Sequence, residues 1–183
     1  MSKCIISIDQ GTTSSRAILF NIKGQPIFSS QKEFKQYFPK SGWVEHDPEE
    51  IWSTTKKTLL DVIKKARALK GKILTIGITN QRETTILWDK KTGKAVYKAI
   101  VWQDRRTEDF CKKLRSQNKD TMIFNKTGLL IDPYFSGTKI KWILDLTSLE
   151  YIAFNIYCYE FLLAFLIPKR PACLETLFPK QAL

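Results

Sequence analysis

Apolar and polar positions along the first third of the chain fall into short runs separated by turn residues. Cys4-Ile5-Ile6-Ser7-Ile8 and Ala17-Ile18-Leu19-Phe20 flank a polar string, and Pro26-Ile27-Phe28-Ser29 follows the turn residues Asn21-Ile22-Lys23-Gly24. Runs of this length predict a three-stranded meander over residues 4–35. An aromatic loop, Tyr37-Phe38-Pro39-Lys40-Ser41-Gly42-Trp43, comes next. The spacing then changes period. Asp47 stands where an N-cap belongs, Pro48 at the first helical position and Glu50 three residues after the cap. Ile51, Trp52, Thr55, Leu59, Val62, Ile63 and Ala66 form one stripe at helical spacing with lysines opposite, which predicts a helix from residue 48 to about Leu69.

Further on, Ile73 to Thr79, Thr84 to Trp88 and Val96 to Trp102 read as strands. The loop Asn80-Gln81-Arg82-Glu83 separates the first two, and the turn Lys91-Thr92-Gly93 separates the last two. Helical patterns follow at about Asp104 to Ser116, in a short segment before Gly128, and at Gly137 to Leu146 around Ile140, Ile143 and Leu144. Strands followed by a helix, twice over, predict an α/β domain with a mixed sheet and flanking helices.

The polar string between the first two strands, Asp9-Gln10-Gly11-Thr12-Thr13-Ser14-Ser15-Arg16, carries the most chemistry. Gly11 lacks the Cβ that would keep phosphate oxygens away, and Thr12, Thr13 and Ser14 offer hydroxyls and backbone N–H groups. Asp9 can hold Mg²⁺ through its water, and Arg16 can stabilise charge on a transferring phosphoryl group. The same residue types also make an ordinary polar turn. Other phosphate motifs are excluded, because none of the eight glycines forms GxxxxGK[ST] or GxGxxG.

The formal charge of +12 comes mostly from lysine, 23 of 30 basic residues, scattered singly or in pairs. A nucleic-acid surface more often clusters arginine with aromatics, so these lysines read as solvated helix faces. Cys4, Cys111, Cys158 and Cys173 form no CxxC pair and His46 is the only histidine, so neither a zinc site nor a disulfide framework is expected. The first residues run straight into a strand pattern without the form of an export signal, and a cytoplasmic protein with reduced thiols is expected.

Several strings resemble the FGGY carbohydrate kinases and, within them, the glycerol kinase branch. They are Asp9 to Arg16, Gly42-Trp43-Val44-Glu45-His46-Asp47-Pro48, Gly77 to Thr85, Ala99-Ile100-Val101-Trp102-Gln103, Thr127-Gly128-Leu129 and Tyr134-Phe135-Ser136-Gly137-Thr138-Lys139. The resemblance covers about residues 3–146. It implies an actin-like, ribonuclease H-like N-terminal domain, incomplete relative to a two-domain family that closes over ATP, Mg²⁺ and glycerol. It places nucleotide contacts on Thr12, Thr13, Ser14 and Arg16 and glycerol contacts on Arg82, Glu83 and Tyr134, with Trp102 as an aromatic pocket wall. On chemical grounds, Glu83 would accept from the triol's hydroxyls, Arg82 would donate to its oxygens, and Trp102 would cover its CH face. Trp43, Trp52, Trp88 and Trp142 read as packing residues, and His46 as structural.

Near residue 147 the composition shifts. Residues 1–146 hold 42 charged and 15 aromatic side chains, whereas the last 37 residues hold 6 and 7. Residues 147–183 are therefore expected to be a divergent apolar tail of frameshifted or otherwise non-native origin. The family's proton-accepting aspartate lies in a Gly-Asp-Gln string, and here the only Asp-Gln pair is Asp9-Gln10. The chain alone is expected not to turn over. Two alternatives stand beside this reading. One is a fragment of another FGGY sugar kinase; the other is a non-catalytic binding module, membrane-associated through the apolar run 151–167, although the mid-run Glu160 argues against a bilayer span.

Overall fold

The computed structural model describes residues 2–89 and 92–147. Strands β1 (Lys3–Gln10), β2 (Ser14–Asn21) and β3 (Pro26–Glu33) form the expected antiparallel meander, with Asp9 opposite Arg16 in the β1–β2 register. The turn after β2 closes as the sequence predicts: the Asn21 side chain accepts from the amides of Lys23 and Gln25, and Gly24 takes a left-handed φ of 77°.

Helix α1 (Pro48–Ala68) begins with Asp47 accepting from the Glu49 amide at 2.9 Å. Its stripe buries Leu59, Val62 and Ala66 against Cys4, Ile6 and Ile8 of β1 and Ala17 and Leu19 of β2. Burying each of the larger aliphatic side chains is worth about 1.5–3 kcal/mol, so this single helix-on-sheet contact carries much of the core. The chain returns in β6 (Lys72–Asn80), which lies parallel to β1 and gives the sheet order β3-β2-β1-β6. The face of the sheet away from α1 stays part-exposed at Ile5, Ile18 and Phe20.

A second, three-stranded sheet joins β4 (Gln36–Tyr37), β5 (Glu45–His46) and β7 (Ala99–Ile100). Here the sequence predicts too much strand. Between residues 84–88 and 95–102 the ladder is reduced to the isolated pairs Thr85 with Ile100 and Trp88 with Ala95 and the Val96 amide donating to the Leu87 carbonyl, and the only strand in this stretch is the two residues of β7. Their backbone groups find other partners: the Val101 amide donates to the Val44 carbonyl and the Trp102 amide to the Thr84 hydroxyl, which ends the ladder.

Helix α2 (Glu108–Ser116) starts four residues later than Asp104, the predicted beginning. Asp104 is buried and its carboxylate accepts from the amides of Val44 and Arg106, so it pins two loops together instead of starting a helix. Helix α3 (Asp120–Thr127) ends at Gly128, whose φ of 72° is the left-handed stop expected there. Helix α4 (Ser136–Thr147) matches its prediction within a residue at each end. Among the described residues no helix is long and apolar enough to cross a membrane, and the run 151–167, like the tail as a whole, lies outside them apart from Thr147. Cys4 and Cys111 are buried and unbonded to one another, while Cys158 and Cys173 also lie outside the described residues.

Candidate functional site

Because β1 and β6 run parallel, with Asp9 beside Thr79 and Gln10 beside Asn80, their carboxyl ends bring two loops together. One is the polar hairpin Gly11-Thr12-Thr13 and the other is Gln81-Arg82-Glu83. Ligands of open α/β sheets bind in this position, beyond the carboxyl ends of the strands.

The hairpin is drawn tight by the Gly11 amide donating to the Ser14 carbonyl at 2.9 Å. A Cβ on Gly11 would sit 3.2 Å from that same carbonyl oxygen, so glycine serves the turn as well as any approaching phosphate. The Thr13 carbonyl accepts from the Phe34 amide and the Ser14 hydroxyl from Gln31, while among the described residues the amides of Thr12 and Thr13 make no hydrogen bond. Thr13 is exposed. Two unspent N–H groups beside hydroxyls form a fitting cradle for phosphate oxygens. Arg16 and Asp9 are ion-paired to each other at 2.7 Å, both partly exposed. Among the described residues no three metal-ligating side chains gather, so Asp9 fits a metal only through water.

The residues expected to contact a polyol gather at the other loop. Trp102 and Tyr134 meet edge to face with ring centroids 6.0 Å apart, and the Trp102 indole N–H donates to the Thr12 hydroxyl at 3.1 Å. That bond joins the aromatic wall to the hairpin. Glu83 takes a left-handed φ of 63°, and its Oε2 accepts from the backbone amide and the hydroxyl of Ser136 at 2.8 and 2.7 Å. Arg82 is exposed and its guanidinium has no partner among the described residues, so it is placed beside the others without being fixed to them.

Three supports of this site escape a reading of the sequence. Lys139 is fully buried, and its ammonium donates to the carbonyls of Glu83 and Tyr134. It does stand within a string the sequence singles out, but as one lysine among 23 it carries no mark of its burial. Gln81 donates to His46 Nδ1 at 3.3 Å and accepts from the Thr84 hydroxyl at 3.0 Å, which fixes the base of the loop. His46 is fully buried against Phe34, and burial lowers its pKa from 6.5 to about 4, so it is neutral and structural. The buried Arg106 side chain bonds Asp104 at 2.8 and 2.9 Å and Glu45 at 2.7 Å. Its guanidinium lies 3.9 Å from the Trp43 ring centre and 4.7 Å from that of Trp142. Burial disfavours its charge, but the two carboxylates outweigh that and the net shift of its pKa is upward. Trp43 and Trp142 are thus packing residues, as expected, around a cation that the sequence does not announce.

Residues 4–163 match the N-terminal domain of the FGGY family of carbohydrate kinases, a span that runs past the compositional change at residue 147. The chain is 64% identical over 143 residues to a glycerol kinase of Oceanobacillus iheyensis and 57% identical over 145 residues to a glycerol kinase of Geobacillus; the matches take in 78% and 79% of this chain. It spans 29% of the length of each of these relatives. The fold superposes on the structure of Plasmodium falciparum glycerol kinase with ADP at a TM-score of 0.74 and 37% identity, covering 79% of this chain and 29% of that one. The hairpin, the Gln81-Arg82-Glu83 loop and the parallel strands that bring them together are therefore parts of a known architecture, and the chain belongs to the FGGY family of carbohydrate kinases through its N-terminal domain.

Proposed function

We propose that this chain supplies the glycerol-contacting and phosphate-gripping parts of an ATP-dependent glycerol kinase, which transfers the γ-phosphoryl group of ATP to a terminal hydroxyl of glycerol. The observation that carries this reading is the convergence of Thr12 with Trp102, Tyr134 and Glu83 at one end of the sheet, joined by the Trp102 to Thr12 hydrogen bond. The high identity to glycerol kinases supports glycerol over other polyols.

In this reading the free amides of Thr12 and Thr13 and the hydroxyls of Thr12, Thr13 and Ser14 hold the nucleotide's phosphates. The Asp9–Arg16 pair is partly exposed, and such pairs are worth only about 0–1 kcal/mol, so it opens readily for Arg16 to face a phosphoryl oxygen. Asp9 is then free to hold the water shell of Mg²⁺, the ion that neutralises phosphate charge in such transfers. Glu83 accepts from a glycerol hydroxyl, Arg82 donates to a glycerol oxygen, Tyr134 donates or accepts, and Trp102 covers the carbon face. The proton acceptor for the attacking hydroxyl has to come from outside these 183 residues, which hold no second Asp-Gln pair, so the chain alone binds without turning over.

The test is a hybrid enzyme in which residues 4–146 replace the matching part of the Oceanobacillus glycerol kinase. The expected result is phosphorylation of glycerol, abolished by Arg82→Ala and Glu83→Ala, with pentuloses and gluconate poor substrates. A hybrid that folds and prefers a pentulose would overturn the glycerol assignment. Glycerol 3-phosphate formed at more than trace rate by the 183-residue chain alone would overturn the claim that it cannot turn over.

A further inference from the structure

We infer that the first turns of α4 are a positioning clamp for the polyol-contacting residues, with Lys139 as its buried centre and Ser136 as its outer jaw. The inference rests on the glycerol reading above and adds residues that touch no substrate.

Three observations carry it. The Lys139 side chain is fully buried, and its ammonium donates to the carbonyl oxygen of Glu83 at 3.0 Å and to that of Tyr134. A buried ammonium without acceptors is costly, so its bonds to these two carbonyls are held firmly and fix the separation between two residues that are 51 positions apart in sequence. Second, Glu83 is one of three described non-glycine residues with positive φ, a conformation that an L-residue adopts against a steric penalty. The carbonyl that Lys139 grips belongs to this same residue, so the ammonium stabilises the strained backbone that aims the carboxylate. Third, both donors of Ser136, amide and hydroxyl, converge on a single oxygen, Glu83 Oε2. Each of these contacts acts on Glu83 or Tyr134 from behind, out of α4, and leaves the exposed Arg82 alone. Catalytic and binding side chains work only when a supporting layer holds them to within a fraction of an ångström, and Ser136 and Lys139 have the geometry of that layer.

The clamp predicts a split between the two ligands. In the 183-residue chain, dissociation constants for glycerol and for ADP are measured separately by titration on the wild type, Ser136→Ala and Lys139→Met. The clamp requires glycerol affinity to fall about five- to tenfold in Ser136→Ala and by more than tenfold in Lys139→Met, with ADP affinity changed less than twofold in the serine variant. Loss of both affinities by equal factors in Ser136→Ala, or glycerol affinity within twofold of wild type in both variants, would overturn it. Because Lys139→Met removes a fully buried cation and can unfold the chain, Ser136→Ala decides the case on its own. A ligand-free readout separates this inference from the glycerol assignment: amide hydrogen exchange at Ser136 should quicken at least tenfold in Glu83→Ala, since that amide loses its acceptor. If the wild-type chain takes no glycerol, the functional reading fails and the exchange rate alone judges the clamp; an unchanged rate at Ser136 refutes it.

Discussion

The indole N–H of Trp102 donates to the hydroxyl of Thr12 across 3.1 Å and 90 residues of sequence, so the aromatic wall and the Gly11-Thr12-Thr13 hairpin share one hydrogen bond. On the other side, the Trp102 amide donates to the Thr84 hydroxyl, which in turn donates to Gln81. Hairpin, wall and the Gln81-Arg82-Glu83 loop are thereby a single hydrogen-bonded unit. A double-mutant cycle with Thr12→Val and Trp102→Phe reads the bond directly. The coupling energy should be about 0.5–1.5 kcal/mol, the net worth of a partly buried hydrogen bond. Additive effects, within about 0.3 kcal/mol, would show that the two residues are merely adjacent.

The buried Arg106 calls for a stronger effect. Its side chain and that of Asp104 are wholly excluded from solvent, and Glu45 is nearly so. Arg106→Met leaves two buried carboxylates with no cation and should destabilise the chain by about 3–5 kcal/mol in urea unfolding. Trp43 and Trp142, which face the guanidinium, should show it as a fluorescence change in the folded state. A loss below about 1 kcal/mol would mean that water reaches the site and screens the charges.

After α1 the left-handed residue is Lys70, with φ of 50°, and not the glycine that follows it. Gly71 is needed for a different reason: a Cβ there would lie 2.9 Å from Cys4 Sγ and 3.2 Å from the Ala66 carbonyl oxygen. Gly71→Ala should therefore cost about 1–3 kcal/mol through overpacking, whereas Lys70→Gly should stabilise by about 0.5–1 kcal/mol by relieving the left-handed strain. Thermal melts of the two variants moving in the same direction would contradict this assignment.

Elements with strong local signals are legible in the sequence. The meander, α1 with its Asp47 cap and the hairpin glycine follow from spacing and turn chemistry, and the structure reproduces them within a residue or two. The extent of the strands after residue 84 is not legible, because Val101 and Trp102 spend their amides on Val44 and Thr84, which are distant in sequence. The site divides in the same way. Thr12, Glu83, Tyr134 and Trp102 stand in strings that mark them. Lys139, Ser136 and Arg106 act only through tertiary contacts: a lysine that grips two carbonyls is spelled like one that coats a helix. Asp104, read as a helix start, has the composition of one, and only the approach of Val44 and Arg106 turns it into a tie between loops.

His46 ties stability to pH. In the unfolded chain it titrates near 6.5, whereas burial in the native state lowers its pKa to about 4. Between these values the unfolded state binds more protons than the native one, so stability rises with pH through the window and is lost as pH falls from 6.5 toward 4. With Gln81 donating to Nδ1, the ring proton sits on Nε2, which finds no acceptor among the described residues; a second proton would have to displace the Gln81 bond and add a buried charge. The wild type should lose about 2 kcal/mol between pH 7 and pH 5 from this residue alone. In His46→Gln that part of the slope should vanish, although the variant starts less stable because its packing against Phe34 is changed. Urea midpoints at pH 7, 6, 5 and 4.5 measure both, and parallel pH profiles for wild type and variant would show that another group drives acid unfolding.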